Sequence, residues 1–185
     1  KIIEKGAIIE LNNPNKQHFT LSLAFPIAMG QNEILRLGDS ILVKSNLSKN
    51  NLELQVMSHN KTLAHFEQKY HSEQDVIDNI INNKLYNFAI IFNKNRCECI
   101  FESEIRKSQV EDEIQTSFSL VETVTYLYSG TVYEYEFSNK SRNYSYICNQ
   151  NKTCGFECKF LSNSDDNMGP TPKDCLANCK EQSGC

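Results

Sequence analysis

A chain of 185 residues with a formal net charge of −4 and its Lys and Arg residues scattered along its length holds one medium domain with a real core and room for a small appendage. It lacks the basic stripe that a nucleic-acid surface needs. Its longest apolar run, residues 21–29, is broken by Ser22 and Pro26 and falls short of the roughly 18–20 residues that cross a bilayer, so neither a nucleic-acid partner nor a membrane span is expected.

In chain order, residues 1–137 are predicted to be strands and turns. The runs GAIIEL, HFTLSLAF, DSILVKSNL, NLELQVMSH, TLAHFEQKY, NFAIIFN, CECIF, VTYLY and TVYEYEF are β-branched or aromatic, and clusters such as NNPN, MGQNE, SKNN and NKN separate them. One strand about every ten residues, with no helical period between, predicts an all-β antiparallel sandwich. Alternation places Leu52, Leu54 and Val56 on one face, and Tyr133, Tyr135 and Phe137 on one face with Glu134 and Glu136 opposite. The sequences NKNRC and Ser129-Gly130 predict hairpins. Residues 104–123 are polar and poorly periodic, and are expected to be a long connection with at most a helical turn.

At Ser138 the composition shifts to Asn, Ser, Lys and Cys, which divides the chain into a sandwich, 1–137, and a cysteine-rich tail, 138–185. Six of the eight cysteines (Cys148, Cys154, Cys158, Cys175, Cys179, Cys185) lie in the last 38 residues, above the roughly 8–10% that marks a disulfide scaffold. Structural zinc is the competing reading, but Cys-x3-Cys is looser than a zinc knuckle and the nearest histidine, His71, is far upstream. The sequence TPKDCLANCKEQ predicts a helix start, with Thr171 as N-cap, Pro172 at the first position and Asp174 in the first turn. Cys175 and Cys179 then share a helix face, and Cys154 and Cys158 have the same spacing. One arrangement is a helical hairpin laced by Cys154–Cys179 and Cys158–Cys175, with Cys148 and Cys185 closing the ends, among many connectivities that sequence does not separate. Cys97 and Cys99 lie i, i+2 on a strand, where pairing with each other is disfavoured, and are expected to be bridged elsewhere or buried. Five sequons, at Asn46, Asn60, Asn139, Asn143 and Asn151, point with the cysteines to a secreted protein or an extracellular ectodomain. The start at Lys1, without Met or a signal-type segment, suits a processed protein or a fragment.

No enzyme motif stands out. His59, His65 and His71 recur every six residues, but on extended chain they would stand about 20 Å apart, too far to share an ion. A glycine-rich phosphate loop and a nucleophile elbow are both absent from the sequence, and no metal or cofactor is expected. In residues 65–70 alternation puts His65, Glu67 and Lys69 on one face and Phe66, Gln68 and Tyr70 on the other. That row is a hydrogen-bonding platform, which Asn82 and Asn83 would extend from a following strand; the competing reading is an ordinary solvated strand face.

The pattern Leu63-x-His65-Phe66-x-x-Lys69-Tyr70, then Asp75, then Ile80-Ile81-Asn82-Asn83 resembles the galectin sequence in which His-Phe-Asn-Pro-Arg-Phe is followed by Asp and an apolar pair ending in Asn. ILRLGDSILVKSNL, LYNFAIIFNKNRCECIF and VTYLYSGTVYEYEF resemble the flanking strands, so the resemblance covers roughly residues 20–137. It implies a galectin-like jelly roll in which His65 keeps its galactose-binding position. Glu67 stands at the Asn position, Lys69 at the Arg position, and Asn82 or Asn83 at the later Asn. The Trp-Gly-x-Glu-x-Arg strand is missing and the chain contains no Trp, which removes the stacking ring, while Lys replaces a planar, bidentate Arg. Residues 175–185 also resemble part of the helix of apple (PAN) modules. These features imply a secreted, non-catalytic recognition module whose β-galactoside site is degenerate and which binds a protein partner or receptor. A lectin with a modified glycan site is the first alternative, and a structural or toxin-like protein that binds through its tail is the second.

Overall fold

A computed structural model describes residues 2–10, 18–102, 104–138, 144–150, 156–162 and 181. The strands in chain order are β1 (Ile2–Ile3), β2 (Ile8–Glu10), β3 (His18–Phe25), β4 (Gly30–Leu37), β5 (Ile41–Ser48), β6 (Asn51–Ser58), β7 (Lys61–Lys69), β8 (Tyr86–Asn93), β9 (Arg96–Phe101), β10 (Glu104–Gln109), β11 (Thr123–Tyr126), β12 (Val132–Ser138), β13 (Tyr144–Gln150) and β14 (Phe156–Ser162). Helix α1 (Glu73–Ile81) follows β7, and α2 (Asp112–Ser119) follows β10. One sheet has the order β1-β12-β3-β8-β9-β10 and the other β2-β11-β4-β5-β6-β7. Every pairing is antiparallel. The chain crosses repeatedly between the two sheets, as in a jelly roll, and β13 and β14 form a separate two-stranded sheet.

The alternating strands behave as their sequence requires. Leu52, Leu54 and Val56 of β6 are fully buried, while Glu53 and Gln55 between them and Met57 after them are half-exposed. Buried side chains of this kind contribute about 1.5–3 kcal/mol each. Aromatic rings knit the interior. Phe92 stacks on Phe118 at 4.3 Å, Phe19 lies 5.7 Å from Phe118, and Phe101 touches both Phe66 and Tyr86, at 5.6 and 5.8 Å.

Several expectations are corrected. Residues 73–81 form a helix, where no helical period was expected. Ser72 caps it, its hydroxyl accepting the Asp75 amide at 3.2 Å; Glu73 and Asp75 complement the positive end of the dipole. Residues 30–33, read as a turn, open β4. The region 104–123 holds strand β10 and helix α2, which buries Ile114 and Phe118 one turn apart. A register shift between Glu134 and Glu136 breaks the aromatic row of β12, so Phe137 lies opposite Leu21 of the core and Tyr133 opposite Ala24 on the other face. Cys158 is in strand β14, directly across from Cys148 of β13, so residues 156–162 are extended and not one arm of a helical hairpin. Residues Asn139, Asn143, Asn151, Cys154, Cys175, Cys179 and Cys185 lie outside the described residues.

Cys97 and Cys99 are not bridged. Both are free and buried, with their sulfurs 3.8 Å apart. Their side chains share the core side of β9, and the hydrogen bond with the neighbouring Cys97 thiol together with burial pushes the Cys99 thiol well above its ordinary range.

Candidate functional site

The solvent face of the second sheet is where polar side chains converge. Because paired residues on antiparallel strands project from the same face, the ladder sets out two rows across four strands. Gln31, Asn46, Glu53 and Glu67 lie opposite one another in turn, and so do Glu33, Lys44, Gln55 and His65. A groove of about 450 Å³ opens over the first three strands, lined by Gln31, Glu33, Lys44, Asn46, Glu53 and Gln55 among others. Its wall mixes amides, carboxylates and one ammonium, and no aromatic ring lines it.

His65, Glu67 and Lys69 occupy one face of β7, as alternation predicts, and Lys69 lies opposite Asn51. Strand β7 is the edge of its sheet, so among the described residues no further strand extends the row. Asn82 and Asn83 do not join it. Asn82 caps the C-terminus of α1, its amide donating to the Asp78 carbonyl at 2.9 Å, and Asn83 takes a left-handed conformation (φ 52°) with its amide on the Ile80 carbonyl at 3.1 Å. Asparagine tolerates that conformation, so these two residues terminate a helix.

The edge strand is held from the other sheet. Arg106 of β10 donates Nε to the His65 carbonyl at 3.1 Å and lies over the Phe66 ring at 5.0 Å. Phe66 is fully buried, so the backbone presenting His65 and Glu67 is fixed from below and from the side. At the far end of the groove Asn46, one of the sequons, lies in mid-strand, whereas Asn60 sits exposed in the β6–β7 turn at φ 62°.

The histidines do not assemble with each other. His59, in the same turn, bonds Ser117 Oγ through Nε2 at 2.6 Å and has Nδ1 3.6 Å from Glu113. Serine, histidine and carboxylate in that order are the parts of an acyl-transfer triad. Ser117, however, lies in the last turn of α2, where carbonyls and not amides are left unbonded, and its hydroxyl also donates to the Glu113 carbonyl at 3.1 Å. A developing oxyanion would meet no helix amide there. With the Lys61–Glu111 ion pair beside it, the arrangement fastens the β6–β7 turn to α2, and the carboxylate raises the Lys61 ammonium pKa through its hydrogen bond.

Sequence reasoning found the β7 row and missed the groove. Gln31 and Glu33 were hidden in a stretch read as a turn; Lys44, Glu53 and Gln55 were detectable from the alternation that put Leu52, Leu54 and Val56 inward.

No family model and no curated protein matches the sequence. The chain is similar in fold to galectins. Caenorhabditis elegans galectin LEC-6 shares 10% identity over 74% of this chain and 95% of its own, at a TM-score of 0.45. Sheep galectin-11 shares 5% over 74% and 98%, at 0.38. The family 7 alginate lyase A1-II′ in complex with product shares 11% over 74% and 64%, at 0.41. The site stands on its own residues.

Proposed function

We propose that this protein is an extracellular, non-catalytic recognition module that binds a polyhydroxylated ligand of glycan type on the solvent face of β4–β7. The observation that carries the reading is the 450 Å³ groove, with neutral amides at Gln31, Asn46 and Gln55 set between charges at Glu33, Lys44 and Glu53. Amides donate and accept at once, which suits hydroxyl groups, and side chains on adjacent strands hold their spacing without ordering cost. The lack of a stacking ring leaves hydrogen bonds and charge as the means of recognition, which favours an ionic or densely hydroxylated glycan over a plain β-galactoside. The cysteine-rich tail and the sequons support the extracellular assignment. A protein partner is the second reading, supported by Ile77, Ile80 and Ile81, which leave an apolar patch on α1.

The test is a glycan array probed with the folded protein and with Lys44→Ala and Gln55→Ala. Binding that either substitution reduces at least tenfold supports the groove. Binding indifferent to both substitutions, or none from demonstrably folded protein, overturns it. Peptide mapping after secretion adds an independent check, because a glycan on Asn46 would itself fill the groove.

A further inference from the structure

We propose that Glu53, His65 and Glu67 form a binding site for a divalent first-row transition metal of the zinc class, at the edge of the second sheet. One donor atom from each of the three residues lies within 4.8 Å of the others. The register explains why. Glu53 and Glu67 are direct partners across the β6–β7 ladder, and His65 precedes Glu67 by two residues on the same face, so all three side chains rise from one patch. A metal at about 2.0–2.2 Å from each donor needs neighbouring donors roughly 3–3.5 Å apart. Small rotations of half-exposed and exposed side chains close that gap with the backbone unmoved.

The charges also call for a cation. Two carboxylates directly opposite on a ladder repel each other, and among the described residues neither Glu53 nor Glu67 has an ion pair. Two carboxylates and a neutral imidazole carry a charge of −2, which a divalent ion neutralises. An imidazole donor favours zinc, copper, nickel or cobalt over calcium or magnesium, which take all-oxygen sites. The backbone under the site is rigid, because Phe66 between the two β7 donors is buried and Arg106 holds the His65 carbonyl. Three protein donors leave a coordination position open to solvent, beside the groove that Glu53 also lines.

The experiment is calorimetric titration of chelator-stripped, full-length protein with Zn²⁺, with Ca²⁺ and Mg²⁺ as contrasts, alongside Co²⁺ absorption spectra. The expected result is one Zn²⁺ per chain, weakened at least tenfold in His65→Ala and in Glu53→Gln, with a Co²⁺ spectrum free of thiolate charge-transfer absorption. Both substitutions are on the surface, and circular dichroism verifies folding. As a second measurement, Zn²⁺ raises the melting temperature of the wild type and not of His65→Ala. Absence of Zn²⁺ binding up to millimolar concentration, equal binding by wild type and variants, or a thiolate band that places the metal on cysteines would each overturn the proposal.

Discussion

Arg106 ties the edge of one sheet to the edge of the other beside the candidate site, and its removal gives a quantitative test. Its Nε–H bonds the His65 carbonyl at 3.1 Å and its guanidinium lies 5.0 Å from the Phe66 ring centre, while its ion pair with Glu104, at 3.0 Å, is open to solvent on both sides. A hydrogen bond from a charged donor contributes about 1.5–3 kcal/mol, and we take the lower end because the side chain is half-exposed. The ring contact adds about 0.5–1 kcal/mol, and the exposed ion pair roughly nothing. Arg106→Ala is therefore expected to lose about 2 kcal/mol in urea denaturation, with an unchanged m-value and faster amide exchange concentrated in residues 61–69. Arg106→Lys should recover less than half, since an ammonium cannot both reach the carbonyl and lie flat over the ring. A loss under about 0.5 kcal/mol, or full recovery by Lys, would refute the idea that this residue clamps the edge strand.

Other consequences are as direct. Phe118→Ala removes the ring stacked at 4.3 Å on Phe92 and should cost about 3–5 kcal/mol, whereas Phe118→Leu should cost less than about half as much; thermal melts compare them. Peptide mapping after thiol alkylation should find Cys97 and Cys99 unmodified in the native protein and modified only after unfolding; alkylation of either in the native state would mean that β9 is not packed as described. Burial raises the Glu98 carboxyl above its ordinary value of 4.5, against the opposing charges of Lys107 and Arg96. Between that value and the raised one the folded state holds more proton than the unfolded state, so stability falls as pH rises through the window. Glu98→Gln should then be more stable at pH 7, by less than about 1 kcal/mol, with the gain vanishing below pH 4.5; urea titrations at three pH values measure it.

How much of this was legible in the sequence depended on what each segment had to bury. Strands β3, β5, β6, β8 and β9 declare themselves because long runs put apolar side chains at every second position, or at nearly every position where both faces are covered, as in β3. Strand β4 was obscured because its first residues, Gly30 to Glu33, are polar and largely exposed, and β10 because an edge strand needs few apolar residues. Helix α1 carried its own signal: Ser72 followed by Glu73 and Asp75, then Val76, Ile77, Ile80 and Ile81 at helical spacing. The expectation that Asn82 and Asn83 sit on a following strand ran against that signal. At the site, alternation fixed which face His65, Glu67 and Lys69 occupy. It could not place Glu53 opposite Glu67 or Lys44 opposite Gln55, because a strand's period sets its face while the partner is set by register.

The most direct test of the central reading is to map, by backbone amide chemical shifts, where a glycan selected on the array contacts the labelled protein. The account predicts perturbations confined to residues 31–33, 42–46 and 53–55, around the groove. Perturbations centred on Ile77, Ile80 and Ile81 of α1, or on strands β13 and β14, would contradict it.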